Sequence, residues 1–192
     1  MKKSKFKGSR ERHNLGRKLA FVLRELIPKI GVEHDEHGFC SLDVLLDILR
    51  QDYPNITIEH VYEVVEKDPQ RRFEISKDMM IRAKAGHRYP VKPANPPTTP
   101  PEYLYHGTSE YSLQGIMSKG ILRMGKAYVH LSTTVERAEA IGLRKTDEPV
   151  ILRIRAEDAH KAGIKFWRSG QVSPDGEIVL SEEIPPNFIE RL

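Results

Sequence analysis

A chain of 192 residues with 39% hydrophobic and 30% charged side chains has the balance of a folded globular protein, and it holds no apolar run of the roughly 18 to 20 residues that a bilayer span takes. The single Cys40 excludes an internal disulfide and is a poor start for a zinc site, so stability has to come from packing. The formal charge of +4 is uneven: residues 1–18 carry eight cations (Lys2, Lys3, Lys5, Lys7, Arg10, Arg12, Arg17 and Lys18) against Glu11, or +7, and the rest sums to −3.

A basic arm over 1–14 on a balanced body suits a phosphate-bearing polymer as partner, although the same composition also describes a solvated tail. No signal-like apolar stretch follows the basic start, so the expected location is the cytoplasm. Leu15, Leu19, Val22, Leu23 and Leu26 then recur at helical spacing, with Pro28 marking the end. A second helix is expected after Ser41 as its cap, running through Leu49, and a third after Thr57, with Ile58, Val61, Val64 and Val65 on its apolar side. Arg72–Ser76 and Met79–Ala83 read as strands of a hairpin turning at Lys77 and Asp78. Three helices and a hairpin describe a winged-helix lobe over 15–89, a fold that commonly sits on nucleic acid.

The segment PVKPANPPTTPP, residues 90–101, is six-twelfths proline and predicts a semi-rigid extended linker. Beyond it, over 102–192, short strands are expected at Tyr103–His106, Val129–Ser132, Val150–Arg155, Ile164–Arg168 and Ile178–Leu180. Helices fall between them at Leu113–Lys119, Val135–Ile141 and Glu157–Ala162, with Gly120 in the left-handed position after the first. The fold class is α+β, and nothing demands more than a monomer.

Two strands in this second lobe end alike. Leu104-Tyr105-His106-Gly107-Thr108 and Val129-His130-Leu131-Ser132-Thr133 each run a histidine into hydroxyl residues, which suits hydrogen bonding to a sugar or phosphate on opposite walls of one cleft. Either histidine alone reads equally well as a buried, satisfied strand residue. Arg24, Arg82 and Arg144 present planar donor forks suited to phosphate, if they converge; most arginines are simply solvated.

The ordered series Leu23-Arg24, Ile81-Arg82-Ala83, Gly86-His87, LYHGT, VHLS, Gly142-Leu143-Arg144 and Ile184-Pro185-Pro186 resembles the RNA 2′-phosphotransferases of the KptA type, from about Leu15 to Pro186. The resemblance implies a winged-helix lobe that receives RNA and an ADP-ribosyltransferase-fold lobe that binds NAD⁺. It also implies the reaction. An RNA 2′-phosphate attacks the NAD ribose and expels nicotinamide, and the ribose hydroxyl then attacks phosphorus, releasing 2′-hydroxyl RNA and ADP-ribose 1″,2″-cyclic phosphate. NAD⁺ is consumed, no metal is required, and splicing of tRNA is the family's familiar setting. By resemblance Arg24, Arg82 and Arg144 grip the phosphate, on two different lobes. His106, Gly107, Thr108, His130, Leu131, Ser132 and Ile178 border the NAD, and Lys18, His87 and Arg88 face RNA.

Two positions depart from the family pattern: Glu25 stands where a histidine usually follows Leu-Arg, and Arg88 where a serine usually follows Gly-His. A carboxylate about 4 Å from a phosphate charge would cost on the order of 4 kcal/mol per charge pair at an effective dielectric of 20. Relief is expected from a cation such as Lys29 one helical turn on, from protonation, or from His13 or His87 in the missing role. Other readings are a transferase that stops at ADP-ribosylated nucleic acid and a non-enzymatic RNA or DNA binder. An inward Glu177, one residue from Ile178, would favour a protein-directed transferase.

Overall fold

The structure, a computed structural model, describes residues 6 and 8–192; Lys2, Lys3, Lys5 and Lys7 of the basic arm lie outside the described residues. The chain forms two compact units, Met1–Lys92 and Pro93–Leu192, each with its own apolar core.

In the first unit, helix α1 (Ser9–Phe21) starts six residues before its apolar spacing begins, so the last residues of the expected arm are helical. Only from Leu15 onward does a stripe of Leu15, Gly16, Leu19 and Ala20 face the core. The expected single helix changes character after Phe21. Val22–Leu26 is a π turn and Ile27–Ile30 a 3-10 turn, closed by Gly31 at φ 72°. Pro28 therefore starts a turn rather than ending a helix, at a position where its missing N–H removes no bond. Strand β1 (Cys40–Ser41) was not expected, since two residues carry no periodicity. Ser41 also caps α2 (Leu42–Arg50), its Oγ accepting from Val44 N. Helix α3 (Ile58–Glu66) is opened by Thr57 in a capping box with His60. Strands β2 (Phe73–Ile75) and β3 (Met80–Ala83) form the hairpin, and the antiparallel order is β1-β3-β2.

The second unit is a six-stranded antiparallel sheet in the order β7-β8-β5-β4-β6-β9. It runs β4 (Tyr103–Thr108), α4 (Glu110–Lys119), β5 (Val129–Ser132), α5 (Val135–Gly142), β6 (Val150–Arg155), α6 (Ala156–Lys161), β7 (Phe166–Ser173), β8 (Gly176–Ser181) and β9 (Ile189–Arg191). Strand β9, which pairs with β6, was missed. Strand β7 runs to Ser173 rather than stopping at Arg168, because an irregularity between Arg168 and Val172 absorbs Gly170 (φ 71°) without breaking the ladder. The proline segment has neither helix nor strand, and from Pro93 it belongs to this unit. Asn95 Nδ2 donates to Arg168 O (2.7 Å) and Thr98 N to Phe166 O (2.8 Å), which lays it along β7. No helix among the described residues is long and apolar enough to cross a membrane.

Gly120 has the positive φ expected of it, 89°, but its ψ of −179° is extended rather than left-handed helical. Its N–H still closes α4 onto Ile116 O, and a Cβ here would overlap the carbonyl of Ile184. Gly120→Ala is therefore expected to destabilise by about 2 kcal/mol or more in urea unfolding. Gly115→Ala, inside α4 with nothing near its Cβ position, should instead stabilise by up to about 1 kcal/mol.

Candidate functional site

Arg24 lies in the π turn, a geometry that recurs at functional sites because it interrupts the regular helical ladder. Segment 86–89 is bound to that turn: Arg88 N donates to Arg24 O at 2.8 Å and Tyr89 Oη to Leu23 O at 2.9 Å. Gly86 permits the approach. Its φ is 91°, and a Cβ there would stand 3.0 Å from Arg24 Nε, so the Arg24 side chain crosses the glycine.

Between Gly86 and Arg88, the His87 ring is buried. Burial pushes it down to about 4, and Arg24, Arg82 and, least, His34 push in the same direction. His87 is thus uncharged near neutral pH. Both guanidinium groups act on one imidazole, so Arg24 and Arg82 occupy a common neighbourhood. Arg82 is itself buried on β3, held by Glu74 (Nε 3.0 Å and Nη2 2.6 Å from Oε2) and stacked on Phe39 at 4.7 Å.

Glu25 is turned onto Arg88, with Nε 3.2 Å from Oε1. The expected Lys29 is not that partner, because the i to i+4 neighbourhood needs an α-helix and Lys29 lies in a 3-10 turn beyond a π turn. Of the two histidines considered for the missing role, His87 is the buried neutral ring and His13 is exposed on α1. Lys18 is ion-paired with Asp52, and its Nζ lies over the Phe21 ring at 5.9 Å.

In the second unit β4 pairs with β6 along six residues, but with β5 only at Tyr105 opposite Ser132. Beyond that pair the His106 ring takes over: its Nδ1 lies 3.2 Å from His130 O. A carbonyl can only accept, so Nδ1 carries the proton and Nε2 is left as an acceptor. Burial pushes His106 down to about 4 against the raising effect of this bond, and the charges of Lys145 and Lys126 lower it further. His130 and Ser132 share one side of β5, opposite Leu180 and Ile178 on β8; His106, one residue from Tyr105, falls on the other side of the junction.

Some expected roles change. The close neighbour that Gly107 admits is α5, since a Cβ would overlap Ala138 O. Leu131 is fully buried in the apolar core, so its side chain borders no ligand; Thr108, Ser132 and Ile178 are also buried. Glu177 lies on the opposite side of β8 from Ile178, where Arg168 holds it through Nε (3.1 and 3.2 Å) and Nη2 (2.7 Å). Arg144 is exposed just after α5, its N–H on Ile141 O. Lys126 and Lys145 were missed, since single lysines carry no pattern that links them to a histidine.

These features define an α+β protein that presents fixed guanidinium groups around a neutral imidazole in one unit and a histidine and hydroxyl junction in the other. A sequence model described as RNA 2′-phosphotransferase, Tpt1/KptA family, matches residues 10–174, and the chain belongs to that family. It is similar to a probable RNA 2′-phosphotransferase of Thermococcus kodakarensis, 37% identical over 179 residues that cover 93% of this chain and 96% of that one. A probable RNA 2′-phosphotransferase of Bacillus thuringiensis subsp. konkukian is 36% identical over 178 residues, 92% and 93% of the two chains. One of Pyrococcus horikoshii is 38% identical over 160 residues, 83% and 90%.

The two neutral histidines give stability a pH dependence. Unfolded, both take up a proton near the ordinary 6.5; folded, neither does until about 4. The unfolded state therefore binds more protons between those values, so their contribution is full above 6.5 and is lost as pH falls toward 4. Urea midpoints should drop between pH 7.5 and 5, His87→Asn and His106→Asn should each flatten part of that slope, and NMR should show neither ring titrating above pH 5.

Proposed function

We propose that this protein uses NAD⁺ to remove a 2′-phosphate from RNA. The observation that carries the reading is the gathering of arginines about one buried, neutral histidine: Arg24 crosses Gly86 next to His87, Arg88 follows it on the same segment, and Arg82, anchored by Glu74, acts on the same ring. The first unit is read as a winged-helix lobe that receives RNA, and the second as an ADP-ribosyltransferase-type lobe that binds NAD⁺.

NAD⁺ supplies a ribose carbon whose bond to nicotinamide breaks with the electron pair leaving on nicotinamide. The RNA phosphate is already an anion, so its attack requires orientation rather than a general base. Ile178 opposite Ser132 fits this: a neutral nucleophile would call for a carboxylate, and here the position is apolar. His106 is suited to hold the ribose, since its Nε2 accepts from a hydroxyl while its Nδ1–H stays on His130 O. In the second step the ribose 2″-hydroxyl forms a bond to phosphorus and gives up its proton. The RNA 2′-oxygen leaves and gains one, yielding 2′-hydroxyl RNA and ADP-ribose 1″,2″-cyclic phosphate. Arg24, Arg82 and Arg144 are assigned to the charge that builds on the phosphate oxygens. The truncated reaction is disfavoured by the position of Glu25, whose carboxylate is occupied by Arg88.

With NAD⁺ and an oligonucleotide bearing one internal 2′-phosphate, nicotinamide, 2′-hydroxyl RNA and the cyclic phosphate should appear together, and a 2′-hydroxyl control should give none of them. Accumulated ADP-ribosylated RNA would establish the truncated reaction, and absence of nicotinamide would overturn the enzyme reading.

The role of Arg88 is separately testable. Arg88→Ala uncovers the Glu25 carboxylate beside the phosphate site and should lower turnover by about tenfold or more. Glu25→Gln with Arg88→Ala should recover most of that loss, and the half-exposed pair itself should contribute less than about 1 kcal/mol to stability.

A further inference from the structure

Helix α1 and the π turn after it carry three arginines at a spacing of seven, Arg10, Arg17 and Arg24. Residues seven apart in an α-helix fall within about 20° of one another and about 10 Å apart along it, so Arg10 and Arg17 lie on one line, which the π turn then carries on toward Arg24. His13, Asn14 and Phe21 fill the same side and are exposed, Phe21 at 44%. The remaining cations of α1 are occupied, Arg12 by Glu63 and Lys18 by Asp52, whereas Arg10 and Arg17 are exposed and make no ion pair among the described residues. No acidic side chain falls on the line; Glu11 projects about a third of a turn away. At its N-terminal end the line opens into a groove of about 440 Å³ lined by Arg10, Arg12, His13, Lys67, Asp68 and Arg72, the last two paired with each other.

Cations in file with an exposed aromatic ring among them match a single nucleic-acid strand, whose phosphates pair with the guanidinium groups while a splayed base stacks on the ring. A duplex keeps its bases stacked on one another and offers none to Phe21. We propose that this side of α1 is a track for the single-stranded RNA flanking the phosphorylated nucleotide on one side, with Phe21 as a base-stacking platform between Arg17 and Arg24. The inference rests on the reading that Arg24 holds the 2′-phosphate, and it adds a flank requirement that the reaction chemistry alone does not impose.

The test is fluorescence anisotropy of the full chain with oligonucleotides bearing one 2′-phosphate and lengthened stepwise on the 5′ or the 3′ side. Lengthening on one side should tighten binding about tenfold over a few nucleotides and then level off, and annealing a complement to that flank should abolish the gain. Phe21→Ala should weaken binding to the long oligonucleotide about fivefold or more. Arg17→Ala should lower the salt slope by about 0.7. With NAD⁺ present, both variants should raise KM for long RNA and leave kcat unchanged. Affinity independent of flank length, equal binding of a duplex flank, equal competition by an acidic peptide, or both variants within twofold of the parent would each overturn the track. Nicotinamide release from the shortest phosphorylated oligonucleotide reports the catalytic reading separately, so either can fail while the other stands.

Discussion

The bonds from Arg88 N to Arg24 O and from Tyr89 Oη to Leu23 O tie segment 86–89 onto the π turn of the first helix, and the surrounding chemistry depends on that closure. Main-chain carbonyls in a partly buried turn need donors, and the segment that supplies them also brings His87 within the electrostatic reach of Arg24 and Arg82. Gly86 lets the two backbones approach without a clash against Arg24. The loop before β1 reinforces the same strap from the other side. Lys92 N donates to Glu36 O (2.7 Å), His37 Nδ1 lies 3.1 Å from Lys92 O, and Gly38, at φ 80°, faces the His87 ring. One strap therefore fixes Arg24 and Arg88 and the burial that keeps His87 uncharged.

The second unit solves a different problem. Strand β4 is held firmly by β6 and pressed on Gly107 by α5, while β5 follows β8, so a single registered pair joins the two halves. A side chain completes the junction where the ladder stops. The His106 ring bonded to His130 O contributes about 1 kcal/mol to stability at most, but it fixes the tautomer of that ring. Charge would defeat that role, and burial together with Lys126 and Lys145 holds the ring neutral.

Much of this was legible in the chain. Periodicity located the helices around Leu15–Leu26, Leu42–Leu49 and Ile58–Val65, and alternation found β4, β5 and β6, because each buries a continuous stripe that sequence records directly. The misses share one physical cause, dependence on a partner distant in the chain. Strand β1 is two residues long, and β9 exists because β6 offers an edge. The π turn looks like ordinary helix until segment 86–89 is laid over it, and Gly107 was read for ligand access when its neighbour is α5. Arg24, Arg82, His106 and His130 were singled out by motif, while Lys126 and Lys145, which act on His106, carry no local signature at all.

Glu25 shows most clearly what pairwise context adds. Taken singly, a carboxylate next to the arginine proposed to hold phosphate is a repulsion of about 4 kcal/mol, and Arg88 in place of a serine is a stray cation. The structure places each on the other, and the main chain ties Arg88 to Arg24 as well. A carboxylate covered by a guanidinium presents a dipole rather than a charge to a bound phosphate, so most of the repulsion disappears. The Arg88 side chain stays half-exposed, with more donors than a lone histidine could offer. The two departures are thus one ion pair, and on the proposed reading the phosphate end of the site keeps its positive character.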